Sequence, residues 1–155
     1  MKTAEELEVR PVIFSIDAAD ILDIERRLFD EESRWQATDF TATLRDGGQM
    51  LCVLVDDLVV GYVVWIEGES ADDVKYAEIL SIAVHPQYQR QKFGSLLIDA
   101  LITESKLPIM CIARESSLDL HCFLRSHNIP ARRVIRRAYV TEDGYLFQES
   151  RQPSR

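Results

Sequence analysis

The chain has little of what would restrict or staple it. Six glycines and five prolines are spread over 155 residues, too few for a collagen-like or low-complexity protein. Its three cysteines, Cys52, Cys111 and Cys122, are odd in number and lack metal-ligand spacing. That excludes a disulfide framework, and since each sits in an apolar segment they read as reduced core residues. No apolar run approaches the roughly 20 residues of a membrane span, and the opening MKTAEELEVR is too polar for a signal peptide. A cytoplasmic location with no membrane association is expected. Positive charge is scarce: 18 Lys and Arg against 26 Asp and Glu leave a net charge of −8. That argues against a general nucleic-acid binder. It is compatible with a cationic partner, though most acidic proteins are acidic only for solubility.

What is there is the composition of a globular protein, 46% hydrophobic and 28% charged. The length predicts one domain over 1–155, with polar tails at about 1–9 and 150–155 and a core that needs no disulfide. Residues 11–16 read as a first strand. Asp17 is expected to cap a helix whose inner face carries Ala18, Ile21, Leu22, Ile24 and Leu28. Thr38 is expected to cap a second short helix running to Leu44. Met50 to Val55 and Leu58 to Ile66 read as two strands joined tightly at Asp56-Asp57, followed by a polar loop from Gly68 to Asp73. A fourth strand ends near Val84, and Leu96, Leu97, Ala100 and Leu101 then recur at helical spacing. Pro108 to Ala113 reads as a buried fifth strand. A helix from Ser117 to about Ser126 is expected to turn Leu118, Cys122 and Phe123 inward and to end at Asn128, a residue that tolerates the left-handed conformation. Arg132 to Tyr139 and Tyr145 to Gln148 read as the last two strands, turned at Glu142-Asp143-Gly144, and Gln152 to Arg155 as a loose tail.

The segment from Tyr76 to Ile102 organises this order. A buried strand passes through a turn at His85-Pro86 into the polar, basic loop Gln89-Arg90-Gln91-Lys92, and then through Phe93, Gly94 and Ser95 into an amphipathic helix. Amides at such a helix start lack intrahelical partners and form a ready anion site. The other account is an ordinary strand–helix unit whose charges face water.

Val84-His85-Pro86 followed by Gln89, Gly94 and the Leu-rich helix resembles the signature of the GNAT N-acetyltransferase superfamily. The resemblance implies a GNAT fold of the α/β (α+β) class. Its mixed, mostly antiparallel sheet has about seven strands with four helices, splayed at the parallel fourth and fifth strands. It implies acetyl-CoA as co-substrate. The diphosphate would be bound by Gln89, Arg90, Gln91, Lys92, Phe93, Gly94 and Ser95. The pantetheine arm would pair with the backbone of Ile82, Ala83 and Val84, which also supplies an oxyanion donor, and Ser117 would complete the coenzyme contacts. No metal is implied.

Within the superfamily the chain is most similar to the ribosomal-protein alanine acetyltransferases, which acetylate protein N-termini. Ile24-Glu25-Arg26-Arg27 through Trp35 to Phe40 is similar to that group's IEQR…FPWS…F segment, one wall of the peptide site. Ser81 to Pro86 is similar to NIAVDP. Ile135 to Tyr139 is similar to IRRNYY, the opposite wall. Trp35 and Tyr139 are thereby substrate-site residues. The departures are specific. Lys92 stands where the family's first glycine is expected, Leu124 where the group's tyrosine acid stands, and Ile112 where it has a glutamate.

Lys75-Tyr76-Ala77-Glu78-Ile79 is similar to the FAEI of the histone-acetylating branch, whose glutamate is the general base. A carboxylate in an otherwise apolar strand should have a raised pKa, which suits a base; the plainer account of Glu78 is a rim residue paired to Lys75 or to an arginine on a neighbouring strand. The acceptor favoured is an α-amine. Deprotonating one at pH 7 costs about 1 kcal/mol, against about 4.6 for lysine. His85 reads as a turn residue, and Arg132, Arg133, Arg136 and Arg137 as guards of an edge strand or contacts for acidic partner residues. The expected function is acetyl transfer to a protein N-terminus, by a monomer or homodimer. The alternatives are a GNAT module that has lost catalysis and binds acyl-CoA or a protein, which Lys92, Leu124 and Ile112 favour, and an acetyltransferase of small amines.

Overall fold

Strands β2 (Gln49–Val55) and β3 (Leu58–Glu69) form the hairpin expected of two apolar runs joined at Asp56-Asp57. Asp56 and Asp57 both adopt positive φ, 48° and 68°, the left-handed pair that lets a two-residue turn follow the twist of its strands. This computed structural model describes residues 5–70 and 73–150. The expected tail at 152–155, the first four residues and part of the 68–73 loop lie outside them. The remaining elements are β1 (Leu7–Pro11), α1 (Phe14–Leu28), α2 (Ala37–Arg45), β4 (Lys75–Val84), α3 (Phe93–Ser105), β5 (Ile109–Arg114), α4 (Leu118–Ser126), β6 (Ala131–Ile135) and β7 (Gly144–Gln148). The strands form one seven-stranded sheet in the order β1-β2-β3-β4-β5-β7-β6. β1–β2, β2–β3, β5–β7 and β6–β7 pair antiparallel, while β4 and β5 run parallel. Their register spans Ala77–Ile109, Glu78–Met110 and Ile79–Cys111, while β4 continues to Val84 and β5 to Arg114. By its contacts the chain groups into two units, residues 1–65 with 81–104 and residues 66–80 with 105–155; β3 and β4 run through both.

In the first unit, Ile21, Ile24 and Phe40 from α1 and α2 are fully buried, as are Leu97, Ile98 and Leu101 from α3 and Cys52, Val53, Tyr62 and Val63 of the hairpin. Gly61 lies where a Cβ would come within 3.1 Å of the Ala83 carbonyl oxygen and 3.2 Å of Val53 Cγ1, so any side chain there would push on strand backbone.

The first strand is Leu7–Pro11, not 11–16, because the chain turns at Val12-Ile13 and α1 begins at Phe14. Asp17 is inside the helix rather than its cap. Its Oδ2 accepts the Ile13 N–H at 2.8 Å, and both carboxylate oxygens accept from the Arg10 guanidinium at 2.8 Å. One buried carboxylate thus ties the end of β1 to the first turns of α1. Helix α2 starts one residue before Thr38, where the Asp39 carboxylate accepts the Gln36 N–H at 2.7 Å. The cap duty falls to a carboxylate in the first turn, as in a capping box.

In the second unit, α4 ends in a Schellman arrangement. The N–H of Ile129 donates to the Leu124 carbonyl at 3.0 Å and that of Asn128 to the Arg125 carbonyl at 3.1 Å. Asn128 takes φ +62°, the left-handed conformation expected of it. Leu124 and Ile129 are fully buried. The inner face of α4 differs from the expected one: Leu118 is 67% exposed and Cys122 is exposed, while Leu124 is the buried residue. The Schellman contact between Leu124 and Ile129 fixes the rotation of so short a helix more firmly than its apolar pattern does. Cys122 is therefore not a core thiol. Strand β6 stops at Ile135 instead of Tyr139. Arg137, at φ +53°, donates its N–H to Asp143 Oδ1 at 2.7 Å and closes an irregular turn over residues 136–143.

Candidate active site

The first unit builds the loop. β4 leaves the sheet at His85, whose N–H donates to the Val60 carbonyl at 2.7 Å. The His85 ring is buried, its Nδ1 accepts the Gln87 N–H at 3.1 Å, and its Nε2 lies 4.0 Å from Asp23 Oδ2. It is a structural anchor of the turn. The Gln89 side-chain amide donates back to the Val84 carbonyl at 3.1 Å, so Gln89 braces the loop against the strand that carries Ile82, Ala83 and Val84. Phe93, Leu97 and Ile98 are buried on the far side. Between these two fixed ends, Arg90, Gln91 and Lys92 are exposed.

Arg90 and Lys92 both have positive φ, 63° and 68°. The first helical hydrogen bond of α3 runs from the Leu96 N–H to the Lys92 carbonyl at 3.1 Å, which makes Lys92 the residue before the helix. The amides of Phe93 and Gly94 therefore precede the intrahelical ladder, at the positive end of the helix dipole. Two cations, left-handed turns and a helix start fit a diphosphate. Lys92 occupies a left-handed position that glycine fills without strain. Lys92→Gly is therefore expected to relieve about 1–2 kcal/mol of local strain, partly cancelled by the greater freedom of glycine in the unfolded chain. On the expectation that this loop holds acetyl-CoA, the same change should weaken that binding by removing a cation; thermal melting with calorimetry on acetyl-CoA reads both.

The connection after α1 is held by a residue that sequence reasoning passed over. Glu25 is 1% exposed. Its Oε1 accepts from the Tyr62 hydroxyl and its Oε2 accepts the Trp35 N–H at 2.9 Å. Burial raises its pKa, while the Tyr62 and Trp35 donors pull the other way. Trp35 meets Phe40 with tilted rings at 5.0 Å between centroids, and Phe40 meets Tyr62 edge-on at 5.7 Å. Trp35 is half-buried and faces this aromatic group. The signal for Glu25 was present: it lies four residues after Ile21, on the helix face that goes inward.

The second unit carries the other candidates. Opposed residues in paired strands point to the same side of a sheet. The registers Glu78–Met110, Ile112–Leu146, Met110–Gln148, Arg114–Gly144 and Arg133–Leu146 therefore place Glu78, Ile112, Arg114 and Arg133 on one face. The opposite face carries Cys111, Tyr145 and Phe147, and His121 of α4 packs there, 5.3 and 5.1 Å from the Tyr145 and Phe147 rings. Glu78 is half-buried, and burial raises its pKa above 4.5.

Tyr139 joins the Glu78 face. Its hydroxyl donates to the Ile112 carbonyl at 3.2 Å, and the Arg114 guanidinium lies over its ring at 4.1 Å. Gly144 leaves the space for this: a Cβ there would meet Ala138 Cβ at 2.9 Å, Ile112 Cγ2 at 3.1 Å and Tyr139 Cε2 at 3.3 Å. Burial raises the Tyr139 pKa, opposed by Arg114, so the phenol keeps its proton. Ser117 precedes α4 without a side-chain capping bond, and its N–H donates to the Arg114 carbonyl at 3.0 Å. Glu142 accepts the Ser116 N–H at 2.8 Å and lies 3.5 Å from Arg114.

The predicted residues thus fall into local sets: the loop with the end of β4, Trp35 on its aromatic group, and Glu78 with Tyr139 on one sheet face. Among the described residues no cluster of His, Cys, Asp or Glu is arranged to hold a metal ion, and no helix is long and apolar enough to cross a membrane.

A mixed sheet with a parallel β4–β5 pair, followed after β4 by a basic loop and a helix start, is the frame of the fold. The chain belongs to the acetyltransferase (GNAT) family, whose model matches residues 17–139. Solved structures share the fold. The ribosomal-protein-S18-alanine N-acetyltransferase of Escherichia coli superposes with a TM-score of 0.76 at 19% identity, over 97% of this chain and 96% of that one. Arabidopsis thaliana Naa50, in complex with the bisubstrate analogue CoA-Ac-MVNAL, gives 0.76 at 15% identity, over 94% and 99%. The protein smu.2055 of Streptococcus mutans UA159 gives 0.79 at 12% identity, over 95% and 99%. No curated protein sequence matches the chain.

Proposed function

We propose that the protein is an acetyl-CoA-dependent N-acetyltransferase acting on a protein N-terminal α-amine. The observation that carries this reading is the helix start after β4, with left-handed Arg90 and Lys92 and the Phe93 and Gly94 amides ahead of the α3 ladder. Family membership and the shared fold support it, and structures of that fold include an enzyme named for the alanine of ribosomal protein S18 and one held with the bisubstrate analogue CoA-Ac-MVNAL.

Acetyl-CoA supplies the activated acetyl group as a thioester. In this reading the loop from Gln89 to Ser95 holds the diphosphate, and Ile82 to Val84 offer strand backbone to the pantetheine arm and an amide to the carbonyl oxygen. Ser117 contributes to coenzyme binding. Glu78 takes one proton from the α-ammonium, the amine nitrogen forms the bond to the acetyl carbon, the carbon–sulfur bond breaks to give the thiolate, and the nitrogen's second proton passes to solvent, leaving the neutral amide. Leu124 cannot donate a proton, being apolar and fully buried. The chemistry tolerates this: with a thiol pKa near 8.5, departure as thiolate at pH 7 costs only about 2 kcal/mol relative to the thiol. Tyr139 and Trp35 are assigned to the peptide.

Calorimetry with acetyl-CoA, followed by thiol release against a panel of peptides, polyamines and amino acids, tests the reading. Micromolar coenzyme binding and turnover on peptides is the expected result. Coenzyme binding without turnover on any amine would instead support a non-catalytic module, the second reading, which the replacements at Ile112 and Leu124 favour.

A further inference from the structure

The chain is acidic, with a net charge of −8, yet four of its 18 cationic residues fall between positions 132 and 137. Edge protection explains only part of this cluster. Arg132 sits at the register shift of β6 and bonds to the Gln148 carbonyl and the Ser150 hydroxyl, as a guarded edge would. Arg133 is different: it is exposed and on the face that carries Glu78. Arg136 and Arg137 lie beyond the end of β6, in the turn that carries Tyr139, where there is no edge to guard. Arg136 is 87% exposed and only loosely opposed by Asp143 at 3.9 Å. The same turn holds out Val140, an apolar side chain exposed in full. Arg114, the remaining cation of this face, is already engaged by Glu142 and the Tyr139 ring.

We propose that the acceptor is an acidic peptide, a protein N-terminus with Asp or Glu at about the fourth to sixth positions, read by Arg133, Arg136 and Arg137. This deepens the acetyltransferase reading and rests on it for the placement of the amine at Glu78. The spacing follows from the sheet. From β4 to β6 there are three strand intervals, and Arg133 is offset two residues along them from Glu78. At about 4.8 Å per interval and 3.4 Å per residue, Glu78 and Arg133 are about 16 Å apart, the span of about five extended residues. A peptide with its amine at Glu78 and its chain across this face brings its fourth to sixth side chains to the arginines. Val140 offers an apolar contact beside them. The net negative charge of the rest of the chain disfavours an extended polyanion such as a nucleic acid.

The test uses peptides identical in their first three residues, with Asp, Asn or Lys at positions four to six and a fluorescent label at the C-terminus. Anisotropy reads binding, and thiol release with acetyl-CoA reads kcat/KM. Three exposed charge pairs are expected to favour the Asp peptide over the Asn peptide by about tenfold at low salt, with the difference shrinking in about 0.5 M salt. In the double variant Arg133→Glu, Arg136→Glu the preference should reverse toward the Lys peptide. Equal binding of all three peptides would overturn the proposal, as would an oligonucleotide of matched charge binding as well as the Asp peptide. The two readings fail separately. Turnover on all peptides without charge preference removes the acidic acceptor and leaves the transferase. Charge-selective binding without turnover on any peptide keeps the acidic partner and removes the transferase.

Discussion

Glu78→Gln is expected to lower kcat near neutral pH by a factor on the order of 10² to 10⁴, the usual contribution of a positioned general base. The amide is nearly isosteric and makes no new charge, so the fold and coenzyme affinity should stay as they are. The pH profile separates a base from a merely structural carboxylate. Burial holds the Glu78 pKa above its ordinary 4.5. The carboxylate is the active form, so activity should be complete well above that raised value and should fall as pH drops through it. In the glutamine variant this acid limb should be missing, and residual activity should follow only deprotonation of the amine. Unchanged turnover with an unchanged acid limb would remove Glu78 from the mechanism.

Arg10→Met should destabilise the protein by about 1–3 kcal/mol, the cost of leaving the Asp17 carboxylate short of partners, below that of breaking a fully buried ion pair because the Arg10 side chain is 23% exposed. Asp17 is 3% exposed and takes two of its three donors from Arg10. Methionine keeps much of the stem volume but leaves the carboxylate with the Ile13 N–H alone. Against a total stability of about 5–15 kcal/mol, urea unfolding should show a clear loss of midpoint. The pH dependence has a definite sign. The Arg10 hydrogen bonds lower the Asp17 pKa below 3.8, against a smaller opposing effect of burial. The stability gained is therefore complete above that ordinary value and is lost as pH falls through the lower folded value. In the methionine variant this acid-induced loss should be flatter. The double variant Arg10→Met, Asp17→Asn should recover part of the stability; an equal loss in both would show that packing of the arginine stem, and not the stranded charge, is responsible.

Much of this was legible because local patterns agree with the fold. Continuous apolar runs marked β2 and β3, Asp-Asp marked their turn, and helical spacing after Gly94 marked α3. Asn128 signalled the left-handed end of α4. The failures have a common cause. Residues 11–16 look like a strand by alternation, but the part-buried Arg10–Asp17 pair turns the chain there. Leu118 and Cys122 look like an inner face, but Leu124 and Ile129 meet at the helix end and set its rotation. Tyr139 looks like part of β6, but the Arg137–Asp143 bond bends the chain away at Ile135. In each case a contact between residues distant along the pattern outweighs propensity, and periodicity carries no record of such contacts.

The sequence by itself determined the element order, the family, and the strand–loop–helix that offers amides and cations to an anion, because these rest on short-range spacing and residue type. Only the tertiary structure decided that Lys92 takes a left-handed backbone, that Glu25 is a buried tie between Tyr62 and Trp35, and that Glu78, Tyr139 and Arg133 share one face. Those facts depend on strand register and on which side of the sheet a residue meets, and register is set by long-range pairing that adjacent residues do not encode.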